Sequence, residues 1–205
     1  MIKRIIFDID DTLILFPKNY IDGYNEVIKK YNLNITYKDL YDTIDKYESI
    51  SKKFDKKTLV DFINQELNTS LDIDFVDYFI KIYNNLDITL NDGVIDTLEF
   101  LYKKYELYAL SNWFTSSQVA RLKKCNILKY FTKVYGGDFY VKPDKNAYLN
   151  CCSGLNFSSC LMIGDSLRKD IIIPYKMGIN VYYLNKNINN NYPSISKITD
   201  LKEVL

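Results

Sequence analysis

Two aspartates, Asp8 and Asp10, stand two residues apart directly after the apolar run Ile5-Ile6-Phe7. An ionised carboxylate on a strand this rich in isoleucine and phenylalanine is costly unless it is paired or bound to a metal. Other polar groups stand where later apolar runs meet loops. Ser111-Asn112 ends Tyr108-Ala109-Leu110, Lys142-Pro143 follows the Gly136-Gly137 loop, and Gly164-Asp165-Ser166 ends Leu161-Met162-Ile163, with Asp170 five residues beyond Asp165. Singly, each has a plain structural explanation: a polar turn at Asp10-Asp11-Thr12, a strand-ending turn at Ser111-Asn112, a solvated loop charge at Lys142, a helix N-cap at Asp170. Together they suit phosphoryl transfer, in which hard oxygen ligands hold Mg²⁺, a carboxylate attacks phosphorus, and a lysine and a hydroxyl bind phosphoryl oxygens. The chain contains no histidine. Ser-His-Asp and Cys-His catalysis, imidazole proton shuttles and His-ligated metals are therefore excluded.

One fold would bring these residues together. Residues 3–9, 106–111, 133–135, 160–163 and 180–184 are short, mostly apolar runs that predict buried strands. Between the later runs, Val94, Ile95, Leu98, Leu101 and Tyr105 recur at helical spacing behind Asn91-Asp92, and Val119 and Leu122 do so behind Ser116-Ser117. Asp170 to Met177 reads as a further helix ending at Gly178. Alternating strands and helices predict an α/β fold with a doubly wound, mainly parallel, Rossmann-like sheet, whose strands' carboxyl ends converge on one crevice. Residues 16–86 differ, showing helical periodicity with little strand signal. Tyr37, Leu40, Tyr41, Ile44 and Tyr47 fit one face behind a Thr36-x-x-Asp39 capping pattern, and three more faces are read around Tyr24, Ile63 and Phe79. A helical insert, 16–86, thus interrupts a catalytic core of residues 1–15 and 87–205. The tyrosines of the insert are read mainly as helix packing, with some facing the site, Arg168 and Lys169 as solvent-facing charges, and Asn185 to Asn191 as a surface loop.

The 205 residues carry 27 basic and 26 acidic side chains, a formal net charge of +1, so no overall field favours nucleic acid or an anionic membrane. The three apolar residues before Asp8 are too few for a signal-peptide core, and no later run approaches a membrane span, so a cytoplasmic location is expected. The four cysteines, Cys125, Cys151, Cys152 and Cys160, show no C-x-x-C spacing and are read as buried and reduced.

Asp8-Ile9-Asp10-Asp11-Thr12-Leu13 resembles the first motif, D-x-D-x-T-L, of the haloacid dehalogenase superfamily. Leu110-Ser111-Asn112 resembles its second motif, Lys142-Pro143 its third, and Gly164-Asp165-Ser166 through Asp170 its fourth, while the insert resembles a C1-type cap. The resemblance runs from Phe7 to Gly178. It implies a Mg²⁺-dependent phosphatase acting on a small phosphorylated metabolite: Asp8 as nucleophile, Asp10 as general acid and base, Ser111 and the Asn112 amide binding phosphoryl oxygens, and Lys142 neutralising their charge. Asp8, the Asp10 carbonyl and Asp165 would hold Mg²⁺, with Asp170 behind them. Asp10 argues against a dehalogenase, since the family's dehalogenases lack this second aspartate and need no metal. A phosphomutase keeps all four motifs and stays open as an alternative. A phospho-receiver domain would carry its acceptor aspartate on a later strand and has no place for the insert; a catalytically silent binding protein would not need the full reactive set. Sugar phosphates, nucleotides and glycolate-type substrates are all compatible with the motifs, and either a monomer or a homodimer is expected.

Overall fold

The structure is a computed structural model of the chain and describes residues 1–185 and 191–205. Most of the stretch read as a surface loop, Asn185 to Asn191, lies outside the described residues. The chain opens with β1 (Arg4–Phe7) and a short β2 (Ile14–Leu15), then runs through four helices, α1 (Tyr20–Lys30), α2 (Tyr37–Ile50), α3 (Lys56–Leu67) and α4 (Ile73–Asn85). It returns through β3 (Thr89–Leu90) and alternates thereafter: α5 (Val94–Leu101), β4 (Glu106–Leu110), α6 (Thr115–Lys124), β5 (Lys133–Tyr135), α7 (Lys145–Cys152) and β6 (Cys160–Gly164). A π-helical segment, Leu167–Ile172, continues into α8 (Ile173–Lys176), followed by β7 (Asn180–Leu184) and β8 (Ser194–Ile195).

Six strands form one parallel sheet in the order β5-β4-β1-β6-β7-β8, the α/β Rossmann-like arrangement that alternating periodicity predicts. The apolar run of β1 is buried on both faces, with Ile5 and Phe7 in one apolar cluster and Ile6 in another. Placing β1 between β4 and β6 brings the ends of three strands side by side, and the Asp8 amide bonds the Ile163 carbonyl at 2.9 Å just past them. The strand is shorter than the expected 3–9: residue pairing ends at Phe7, and past it the Asp8 amide still bonds β6.

α1 to α4 pack around their own apolar cluster, including Leu40, Ile63, Phe75 and Phe79. Local chemistry sets their starts. The Thr36 hydroxyl and Asp39 carboxylate make the reciprocal capping box read from the sequence, while Asp55 and Asp72 cap α3 and α4. The insert leaves and re-enters the core at one place, since Ile14 and Leu15 of β2 pair antiparallel with Leu90 and Thr89 of β3. Two-residue strands carry no periodicity, and β2, β3 and β8 were not legible in the sequence.

Three helix starts differ from expectation. α5 begins behind Gly93, held at φ +74, not behind Asn91-Asp92, and ends before Tyr105. α6 begins at Thr115, so Ser116 and Ser117 lie within it. Asp170 is no N-cap: it sits inside the π-helical turn, fully buried, while Gly178 at φ +85 follows α8 as foreseen. All four cysteines are free; Cys151, Cys152 and Cys160 are buried, whereas Cys125 is partly exposed. Among the described residues, no helix is long and apolar enough to cross a membrane.

At the amino end of the sheet, buried Arg4 bonds Glu106 at 2.7 Å and the Cys151 and Ser153 carbonyls at 2.7 and 2.9 Å, with its guanidinium over the Tyr108 ring. Arg4→Ala leaves those carbonyls without their donor. It should lower urea-unfolding stability by about 2–4 kcal/mol; an unchanged denaturation midpoint would contradict this role.

Candidate active site

Asp8, Asp10, Ser111, Asn112, Lys142, Asp165 and Asp170, which come from four separate parts of the sequence, line a single cavity of about 350 Å³ between the sheet ends and the helical insert. A tight turn delivers the first two. The Leu13 and Ile14 amides both bond the Ile9 carbonyl at 2.9 Å, with Asp11 in the left-handed region at φ +59, so the chain reverses directly after the paired aspartates.

Lys142 is the hub. Buried to 3% exposure, its Nζ lies 2.5 Å from Asp8 Oδ1 and 2.7 Å from Asp170 Oδ1. The other Asp170 oxygen accepts the Ser166 amide at 3.0 Å, so both of its oxygens are engaged behind the cavity. Gly164 permits this approach, because a Cβ there would lie 2.4 Å from the Asp170 carboxyl. Thr12 Oγ1 stands 3.2 Å from Asp8 Oδ2 and 3.3 Å from Asp165 Oδ1, between the two carboxylates. Asn112 was read as a contributor of its backbone amide; its side chain also holds Lys142, accepting the Lys142 amide at 2.7 Å and donating to the Lys142 carbonyl at 2.9 Å.

Asp10 is held from α6 by residues that the sequence reading passed over. Gln118 Nε2 donates to Asp10 Oδ2 at 2.7 Å and lies 2.6 Å from Ser111 Oγ, while Arg121 Nη1 donates to Asp10 Oδ1 at 2.5 Å. A signal was present. α6 has few apolar residues for a helix packed in a core, and its buried face is mainly polar: Ser117, Gln118, Arg121 and Leu122. Lys169, read as a solvent-facing charge, instead pairs with Glu48 of α2, which also accepts Asn112 Nδ2 at 3.0 Å; Arg168 is exposed as expected. As expected, some tyrosines of the insert face the site: Tyr24, Tyr41 and Tyr83 reach the cavity beside Phe79 and Trp113.

Four carboxylates therefore meet two buried cations, Lys142 and Arg121, and negative charge is in excess. Burial, reinforced by Asp170, Asp165 and Asp10 against the opposing Lys142, holds the Asp8 carboxyl well above the usual carboxylate range. Burial and the neighbouring Asp170 and Asp11 push Asp165 up to about 6. Asp8, Asp165 and Asp170 each offer an oxygen within 4.8 Å of the others. This all-oxygen, electron-rich set fits a hard divalent cation.

The raised Asp165 carboxyl makes a stability prediction. The folded, metal-free protein binds a proton there that the unfolded chain, with an ordinary value of 3.8, has released, so stability from this group is lost as pH rises from about 4 through about 6. Asp165→Asn should therefore raise the melting temperature of chelator-treated protein at pH 7.5 by roughly 2–6 °C and remove part of the decline between pH 4 and 6. A melting temperature that falls, or an unchanged pH profile, would show that the site carries no such charge excess.

The family model described as haloacid dehalogenase-like hydrolase matches residues 2–173. The pyrimidine 5′-nucleotidase PynA of Streptococcus pneumoniae is 27% identical over an alignment that spans 93% of this chain and 86% of that protein. The structure of YfnB from Bacillus subtilis, described as bound to magnesium, superposes with a TM-score of 0.76 at 21% identity, covering 100% of this chain and 98% of that one. A 2-haloacid dehalogenase from Pseudomonas syringae pv. Tomato shares the fold at a TM-score of 0.73 and 20% identity, covering 100% and 98% of the two chains. With the match running through all four clusters of site residues, the chain belongs to the haloacid dehalogenase-like hydrolases.

Proposed function

We propose that this hydrolase is a Mg²⁺-dependent phosphomonoesterase working through an aspartyl-phosphate intermediate, with residues 16–86 as its cap. The observation that carries the reading is the separation of two carboxylates into two environments: Asp8 against Lys142, and Asp10 held by Gln118 and Arg121. That division suits two roles. Asp8 attacks phosphorus, forming an oxygen–phosphorus bond as the ester oxygen departs with a proton from Asp10. Asp10 then takes a proton from the water that cleaves the acyl phosphate, which regenerates the Asp8 carboxylate and releases inorganic phosphate. Lys142 neutralises phosphoryl charge, and Ser111 with the Asn112 amide binds phosphoryl oxygens. Asp8, the Asp10 carbonyl and Asp165 would hold Mg²⁺, with Asp170 behind them, and the ion supplies charge neutralisation between phosphate and nucleophile.

The substrate favoured is a nucleoside 5′-monophosphate. Tyr24, Tyr41, Phe79, Tyr83 and Trp113 wall the cavity, whose volume of about 350 Å³ suits a ligand of that size. A flat base gains roughly 1–3 kcal/mol from stacking on such a ring, and the similar PynA is a pyrimidine 5′-nucleotidase.

A panel of nucleoside monophosphates, sugar phosphates and phosphoglycolate, assayed with Mg²⁺ and with chelator, tests this. Nucleotides should lead in kcat/KM, chelation should abolish turnover, and Asp8→Asn should be inactive while folded. No hydrolysis of any ester, or full activity in Asp8→Asn, would refute the phosphatase reading; a lead for phosphoglycolate would refute the nucleotide. Asp10→Ala separates the steps. General acid/base help is worth roughly 10²–10⁴-fold, and para-nitrophenolate leaves without it. That ester should give a burst of one product per enzyme followed by slow turnover, while a nucleotide gives none. Wild-type turnover of both esters would remove Asp10 from the mechanism.

A further inference from the structure

Gln118 and Arg121 are both fully buried on α6. A guanidinium taken out of water is expensive, and an apolar side chain of similar length would serve a purely structural role at less cost. Arg121 makes that cost plain: its Nε and Nη2 are buried without a hydrogen-bond partner. Its Nη1 has two partners, Asp10 Oδ1 at 2.5 Å and Gln118 Oε1 at 2.9 Å. Gln118 spends both ends of its amide in the same network, accepting from Arg121 and placing Nε2 within bonding distance of Asp10 Oδ2 and Ser111 Oγ. Each Asp10 oxygen thus meets its own donor.

That two-point hold matters because the Asp10 side chain is 28% exposed, enough for an unrestrained carboxylate to turn toward water. From the other side, the Tyr83 ring of α4 lies 4.9 Å from the Arg121 guanidinium, so the insert covers the cation that grips Asp10.

We propose that Gln118 and Arg121 are positioning residues that fix the orientation of the Asp10 carboxylate for proton transfer. The proposal rests on the assignment of Asp10 as general acid and base made above. A misplacement of about 1 Å costs on the order of 10²-fold in rate. The loss should follow the need for a proton rather than spread over every substrate.

Arg121→Met, Gln118→Leu and Arg121→Lys are compared with wild type and Asp10→Ala by rapid mixing, with circular dichroism to verify folding. In Arg121→Met and Gln118→Leu, single turnover of a nucleoside 5′-monophosphate should slow roughly 10–100-fold, with KM within about threefold of wild type and the para-nitrophenyl phosphate burst rate within about twofold. Arg121→Lys, which keeps a cation, should recover part of the nucleotide rate. Equal slowing of both esters in folded protein, or slowing of neither, overturns the proposal. Should Arg121→Met not fold, Gln118→Leu decides alone by the same criteria. If Asp10→Ala shows no difference between the esters, the acid/base assignment and this proposal fall together. If Asp10→Ala shows it and both α6 variants behave as wild type, only the positioning role falls.

Discussion

The contact of one buried ammonium with two carboxylates, Lys142 with Asp8 and Asp170, is the constraint around which the rest is arranged. A lysine this deep is tolerated because both partners lie within 2.7 Å, and Asp8 past an apolar strand and Asp170 in a buried π-helical turn are tolerated because the lysine is there. Everything that holds these groups in register then follows. Asn112 grips the Lys142 backbone at both its amide and its carbonyl, Ser166 holds the far oxygen of Asp170, and glycine at 164 leaves room for that carboxyl. The parallel sheet supplies the coarse placement, aligning strand ends from distant parts of the chain. The side-chain bonds supply the fine placement.

The fold class was legible because parallel strands buried on both faces read as unbroken apolar runs, and β1, β4, β6 and β7 are such runs. Asp8, Ser111 and Asp165 were legible for a related reason: a polar residue that interrupts or ends such a run is conspicuous, whereas Lys142, in a loop, was legible through the Lys142-Pro143 motif. Gln118 and Arg121 were not, because polar residues on a helix are ordinary until the helix is known to turn that face inward. Lys169 was misjudged on the same ground, its Glu48 partner lying 121 residues earlier in a separate element. Asp170 looked like an N-cap from spacing alone, whereas in the π-helical turn its carboxyl meets Lys142 and the Ser166 amide.

The insert and the core share the cavity unequally. The core contributes Asp8, Asp10, Asp11, Asp165 and Asp170, and the insert contributes mainly aromatic surface, together with Asp45 and Glu48. The carboxylates with fixed partners thus stand at or just beyond strand ends, while the aromatic wall stands mainly on helices that have an apolar cluster of their own.

The position of β1 at the centre of the sheet also fixes an order of assembly. Its neighbours are β4, which begins at Glu106, and β6, which begins at Cys160, so β1 is made about a hundred residues before either partner. The four helices in between close on one another through contacts local in sequence, which form readily. During synthesis, therefore, the helical insert can consolidate while Ile5, Ile6 and Phe7 still wait for the strands that will cover them. The charged centre cannot exist until Asp170 has emerged, so a growing chain carries its costly cluster of carboxylates only after β1, β4, β5 and β6, four of the six strands, have been made.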